Sequence, residues 1–173
     1  SVWFRGNFSG WEGWFNYAKI SRNTHKTLLR DFVISNPDLF ENGDIFTPCP
    51  ECENGGPGDP RANGDRSGYN QFLIDERVIA RESFNSIHKA VTLYPSMNAD
   101  IARYVVDSET ASSLGGTILV DHYVDSAFKF SNDIFSIGQK LSAKIGIGEF
   151  GAPVPDLNGW MSDSDQAVYI EPI

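Results

Sequence analysis

The sequence predicts an α/β protein with a parallel sheet, read as a fragment of a (β/α)8 TIM barrel covering about five strand–helix units. Three observations predict it. Short apolar runs with strand character alternate five times with longer amphipathic stretches, the order that specifies a parallel sheet with helices packed outside it. In every unit the polar residues gather where the strand ends: Arg5 and Asn7, Glu51, Asn98, Asp121 to Tyr123, and Glu149. That one-sidedness is expected of a barrel whose functional face lies at the carboxyl ends of its strands. No Gly-rich phosphate loop follows any strand, which places the doubly wound open sheet second. A closed barrel takes about 250 residues and eight strands, so the 173 residues are expected to form one partial domain, 1–173, lacking an N-terminal part of the barrel.

The elements follow in order. Val2-Trp3-Phe4 is a strand-like run that turns polar at Arg5 and Asn7. Residues 8–15 form a glycine-punctuated loop carrying Trp11 and Trp14, either lids on a core or platforms for a flat ligand. Leu28, Leu29, Phe32 and Val33 share one face of a helix over 23–35, stopped by Asn36-Pro37. The next strand, 45–51, points Ile45, Thr47, Cys49 and Glu51 to one side. Its successor is a long polar loop, 52–68, of the length that is functional or mobile in a small domain. A helix over 69–89 buries Phe72, Leu73, Ile79, Ala80, Phe84 and Ile87. A third strand over 90–97 ends at Asn98. The helix over 99–114 buries Ile101, Tyr104 and Val105 and is closed by Gly115-Gly116.

Residues 117–123 make a fourth strand, again apolar first and polar last. A helix centred on Ile134, Ile137, Gly138 and Leu141 leads to the stretch over 144–153, where Ile145 and Ile147 alternate with Gly146 and Gly148. This strand is expected to be buried, with Glu149 held rigidly at its end. Pro153 and Pro155 stop the ladder. A turn over 156–159, the loop aromatic Trp160 and a last helix opening at Ser162 complete the chain.

Composition narrows the partners. Fourteen basic against 23 acidic residues give a net charge of -9, which repels phosphate backbones and anionic lipid. Nucleic acid and membrane are therefore not expected, and no apolar run reaches the roughly 18 residues of a membrane span. Two cysteines, Cys49 and Cys52, are too few for a disulfide framework. The compartment stays open, with export favoured over the cytoplasm, and no cofactor or metal is expected.

Glu51 and Glu149 end nonadjacent strands of one sheet, so their carboxyls can converge. Such a pair can run glycoside hydrolysis, one as general acid and the other as nucleophile or as base for water. Trp11, Trp14 and Trp160 suit stacking on sugar faces, and Arg5, Asn7, Asn98, His122 and Tyr123 suit hydrogen bonding to hydroxyls. Between them, Pro50-Glu51, Asp121-His122-Tyr123 and Gly148-Glu149-Phe150-Gly151 resemble the motifs of the large clan of retaining glycoside hydrolases built on (β/α)8 barrels, which includes cellulases and mannanases. The resemblance covers residues 45–153. It implies cleavage of β-glycosidic bonds in a neutral polysaccharide or oligosaccharide, with Glu149 as nucleophile and Glu51 as acid/base. Two departures stand out. Pro50 occupies the place where the clan usually has Asn, and Glu53 is the alternative acid/base. His122 and Tyr123 are adjacent, so by strand parity Asp121 points with Tyr123.

Two other readings use the same residues. The first is a carbohydrate-binding barrel without catalysis. The second is metal or redox chemistry at Cys49-Pro-Glu-Cys52, with His25, His88 or His122 completing a zinc set. Asp59, Asn63 and Asp65 also form a candidate calcium loop.

Overall fold

Each strand run of the sequence forms a ladder, and the amphipathic stretches between them fold as helices. The computed structural model describes residues 1–8, 20–55, 58–153, 157 and 159–173. Strands β1 (Trp3–Arg5), β2 (Ile45–Thr47) and β3 (Thr92–Leu93) form one parallel sheet in that order. Strands β4 (Ser96–Asn98), β5 (Thr117–Asp121) and β6 (Lys144–Glu149) form a second. The protein is thus a mixed α/β fold with two small parallel sheets, which do not close into a barrel.

The third strand of the sequence reading is divided between the sheets. Pro95 lacks an N–H, so a continuous ladder cannot run through it. Tyr94 still donates to Phe46 O at 3.2 Å, and Pro95 O accepts from Leu119 N at 2.9 Å. One kinked stretch therefore serves both sheets. The expected strand over 45–51 stops at Thr47 for the same reason, with Pro48 and Pro50 ending the pairing. The last strand is less buried than its sequence implied: β6 pairs with β5, and Ile147 is 38% exposed.

Helix α1 (Arg22–Ser35) starts where Ser21 accepts from Thr24 N, and it buries His25, Leu29 and Val33 while Leu28 turns outward. The polar loop after β2 contains more structure than its composition announced. It holds a 3-10 turn at Cys52–Asn54 and a short helix, α2 (Pro60–Asn63). Helix α3 (Arg66–Ser86) begins earlier than expected because Asp65 caps it, accepting from Gly68 N. The helix expected over 99–114 is two, α4 (Ala99–Tyr104) and α5 (Ser108–Ser113), since Asp107 caps a new start by accepting from Thr110 N. Tyr104, expected inside, is exposed. Helix α6 (Ala127–Leu141) buries Phe130, Ile137 and Leu141. Helix α7 (Asp163–Ile170) opens with a capping box, and its Tyr169 hydroxyl donates to Val124 O at 2.8 Å.

Two apolar cores support the array. One gathers Met97, Ile118, Val120, Ile137 and Leu141 around the β4–β6 sheet. The other is aromatic and lies around β1–β3, joining Leu29, Val33, Phe40, Phe46 and Phe84. Phe40 is its hub, with ring centroids 5.0 Å from Phe4 and 4.9 Å from Phe84, both edge-on. Such pairs add to the burial energy of the rings. Phe40→Ala is therefore expected to destabilise the fold by about 3–5 kcal/mol, read as a drop in the urea midpoint. A loss below 1 kcal/mol, on the order of a surface change, would show that this cluster is not the hub.

Candidate active site

The site begins with a glycine. In the β5–β6 ladder Val120 faces Ile147, but Asp121 faces Glu149, so the register skips Gly148. A bulge of this kind re-aims the residue after it. A side chain at Gly148 would overlap Asp121 Oδ1 and crowd Ser96 Oγ, so only glycine lets the Asp121 carboxylate lie across the bulge.

Arg5 reaches this point from the other edge of the array. Its Nη1 donates to Glu149 Oε1, 144 residues away in sequence, and its Nη2 donates to Asp121 Oδ2 at 3.0 Å. The ends of β1, β5 and β6 therefore converge. Ser96 Oγ, on β4, donates weakly to Asp121 at 3.4 Å, and the Tyr123 hydroxyl donates to Glu149 Oε2 at 2.7 Å. Glu149 thus has both carboxylate oxygens bonded. Burial raises its pKa, but Tyr123 and Arg5 outweigh burial and leave it below the usual carboxylate range. Tyr123 moves the opposite way: burial and the Glu149 carboxylate keep its proton on.

Glu51 completes the cluster under different conditions. It sits in the turn after β2 with a left-handed backbone, φ 46°, not in the strand as its spacing predicted. It is 9% exposed. Burial pushes its pKa up to about 7, and the charges of Asp121, Glu53 and Glu149 add to the rise against the opposing pull of Arg5. Burial likewise leaves Asp121 raised despite Arg5.

Glu53 is a structural partner. It accepts from the Tyr69 hydroxyl at 2.8 Å and from Asn98 N at 2.7 Å, which fastens the 3-10 turn to α3 and β4. Burial raises its pKa against those bonds. Asn98 spends its side chain accepting from Asp100 N at the start of α4. Asn7 donates to Pro50 O at 3.0 Å, beside the Glu51 turn. His122 is committed to α6, where Nε2 meets Asp133 Oδ2 at 2.9 Å. Asp133 is held at about 2, burial opposing and Lys129, His122 and Arg103 lowering it. Strand parity thus sorts Asp121 and Tyr123 from His122. Trp160 is 96% exposed, and Trp11 and Trp14 lie outside the described residues.

The cysteine pair has a different chemistry. Cys49 and Cys52 are disulfide-bonded, with Cα atoms 5.4 Å apart. His25 Nε2 lies 3.2 Å from Cys49 Sγ and accepts from Phe8 N at 3.1 Å, while His25 Nδ1 meets Glu76 Oε1 at 2.9 Å. His25, Cys49 and Cys52 have the proximity of a metal set, but zinc binds thiolates, and sulfurs bonded to each other are not thiolates. The calcium candidates are committed elsewhere: Asp59 caps α2 and pairs with Arg61, Asp65 caps α3 and pairs with Arg22, and Asn63 accepts from Asp65 N.

Asp121, Ser96, Tyr69 and Glu76 contribute to these contacts without a motif of their own in the sequence. Only Asp121 left a signal, its two-residue spacing from Tyr123 at a strand end. Comparison with known proteins finds no matching family model, no matching curated protein and no matching solved structure.

The raised Glu51 pKa has a consequence for stability. A carboxyl whose folded pKa lies above its unfolded value stabilises the fold fully below the ordinary carboxylate range, and that contribution is lost as pH rises through about 7. Asp121, Glu53 and Glu76 act in the same direction, so the Glu51 share is read by difference. The urea midpoint is expected to fall between the ordinary carboxylate range and about 7, and less steeply in Glu51→Gln. Parallel slopes in the two proteins would show that Glu51 titrates normally.

Proposed function

We propose that the chain is five consecutive units of a (β/α)8 barrel and carries the centre of a retaining glycoside hydrolase, acting on β-glycosidic bonds of a neutral polysaccharide or oligosaccharide. One observation carries this reading: two carboxyls of one cluster are polarised in opposite directions, Glu51 upward to about 7 and Glu149 downward. Groups of one chemical kind become an acid and an anion at the same pH only when their surroundings separate them in this way.

The roles follow from the contacts. Glu149 is ionised, and its oxygens are oriented by Arg5 and Tyr123, which suits a nucleophile that must reach an anomeric carbon from a fixed position. Glu51, raised to about 7, keeps a share of its proton into the neutral range and donates it to the departing glycosidic oxygen. Once ionised, it takes a proton from the water that opens the glycosyl–Glu149 ester, and both carboxyls return to their starting states. Arg5 and Asp121 keep the charge near Glu149 balanced between the two steps. Glu53 does not suit the acid role, because Tyr69 and Asn98 N occupy its oxygens. The net charge of -9 favours a neutral substrate over a uronate polymer.

A panel of aryl β-glycosides tests the proposal. Glu51→Gln is expected to lower kcat/KM about 10²–10⁴-fold on substrates with poor leaving groups and far less on those with good ones. Glu149→Gln should abolish turnover on all of them. The first-formed sugar, followed by proton NMR, should keep the β configuration. An α product would indicate an inverting pair, whose carboxyls stand roughly 6.5–9.5 Å apart rather than about 5–5.5 Å. Binding of oligosaccharide without turnover, unchanged by Glu149→Gln, would replace the hydrolase reading with a binding barrel.

A further inference from the structure

We infer that the Cys49–Cys52 disulfide is a clamp that positions Glu51, so that the candidate site is assembled only in the oxidised chain. The role of Glu51 as an acid rests on the glycosidase reading; its dependence on the clamp does not.

The clamp closes a loop containing only Pro50 and Glu51 between the bonded cysteines. Pro50 restricts φ on one side. Glu51 then adopts φ 46° and ψ 43°, a left-handed conformation that a residue with a Cβ disfavours and holds only when its surroundings impose it. Among the described residues the Glu51 carboxylate has no hydrogen-bond partner, so no contact of its own fixes its direction. The backbone of the turn does. Glu51 N donates to Ser96 O at 3.1 Å, Asn54 N donates to Glu51 O at 3.0 Å, and Asn7 donates to Pro50 O at 3.0 Å.

The clamp itself is anchored. Cys49 and Cys52 are buried, at 4% and 0% exposure. The first is packed against His25, which Glu76 ties to α3. A rigid base on one side and a restricted turn on the other hold Glu51 within electrostatic reach of Asp121, Glu53 and Glu149. Reduction breaks the S–S bond and makes two S–H groups, using two electrons and two protons. A phosphine supplies the electrons in the experiment below and leaves as its oxide, with water giving the oxygen and the two protons. The turn is then free to relax Glu51 toward negative φ, which swings the carboxyl out of the cluster.

Carboxyl-carbon NMR of the 173-residue chain tests this without relying on activity. The Glu51 signal is identified by its loss in Glu51→Gln. In the oxidised chain it should titrate at about 7. After phosphine treatment, and in C49A/C52A, the midpoint should fall toward the ordinary carboxylate range, while the amide signals of β1–β6 stay in place. On an aryl glycoside, reduction should lower kcat about 10²-fold, the scale of a displaced catalytic group, move the alkaline limb of the pH profile downward and leave KM little changed. A midpoint unmoved by reduction overturns the clamp, as do two free thiols in chain purified without reductant. Loss of the whole amide spectrum on reduction also overturns it, in favour of a general staple. If C49A/C52A does not fold, the reduced native chain decides alone. A titration that shifts in a chain without hydrolytic activity keeps the clamp and removes the glycosidase reading, and the converse separates them the other way.

Discussion

The guanidinium of Arg5 is the interaction on which the strand-end cluster depends. Asp121 and Glu149 stand on adjacent strands, in register across a bulge, and two carboxylates so placed repel unless a cation lies between them. Arg5 supplies it, donating to both. Because β1 and β6 belong to different sheets, the same contact curls the array so that its strand ends face one another. Burial opposes the charge on Arg5, but Asp121 and Glu149 raise its pKa regardless.

One cation cannot satisfy three carboxyls. Arg5 bonds Asp121 and Glu149 directly, whereas Glu51 feels it only through space and has no side-chain hydrogen bond among the described residues. Burial, reinforced by the charges of Asp121, Glu53 and Glu149, favours its protonated form. Of the two carboxyls that share Arg5, Glu149 lies below the ordinary range while the more deeply buried Asp121 stays above it, and Glu51 is raised to about 7. Tyr123 sharpens the division by donating its hydroxyl to Glu149, a bond that favours the ionised form of the acceptor and holds the phenol neutral.

Much of this was legible in the sequence because it follows from periodicity. The parallel order came from the alternation of strand runs and amphipathic stretches, and the gathering of Arg5, Asp121 and Glu149 at one end came from each run turning polar where it stops. What the sequence hid were local breaks and pairings distant in the chain. Pro95 divides a strand whose apolar content reads as continuous, and Asp107 splits a helix whose apolar face carries through. A side chain that caps a helix, such as Asp65, has the same composition as one in a polar loop, so the loop over 52–68 looked emptier than it is. The aromatic hub at Phe40 and the His25–Glu76 link join residues with no spacing signature, since each depends on how separate helices dock.

The Cys-Pro-Glu-Cys segment shows how one short motif changes meaning with geometry. Read as a strand, it directs Cys49 and Glu51 to the same face and leaves Cys52 to a loop, so Glu51 looks like an ordinary strand-end carboxylate. The two prolines forbid that strand. Once the ladder stops at Thr47, the chain has four residues in which to turn from the β2 ladder into the 3-10 helix that begins at Cys52, and the disulfide fixes both ends of the reversal. Glu51 occupies its tightest point, with the carboxyl directed by backbone rather than by partners. Glu53, two residues on, lies in the 3-10 turn and is consumed by Tyr69 and Asn98. Of two glutamates with the same composition and nearly the same address, one therefore anchors the turn and the other is presented by it. Exchanging their roles would require Glu53 to leave two buried donors unsatisfied, a desolvation cost of about 1–3 kcal/mol for each.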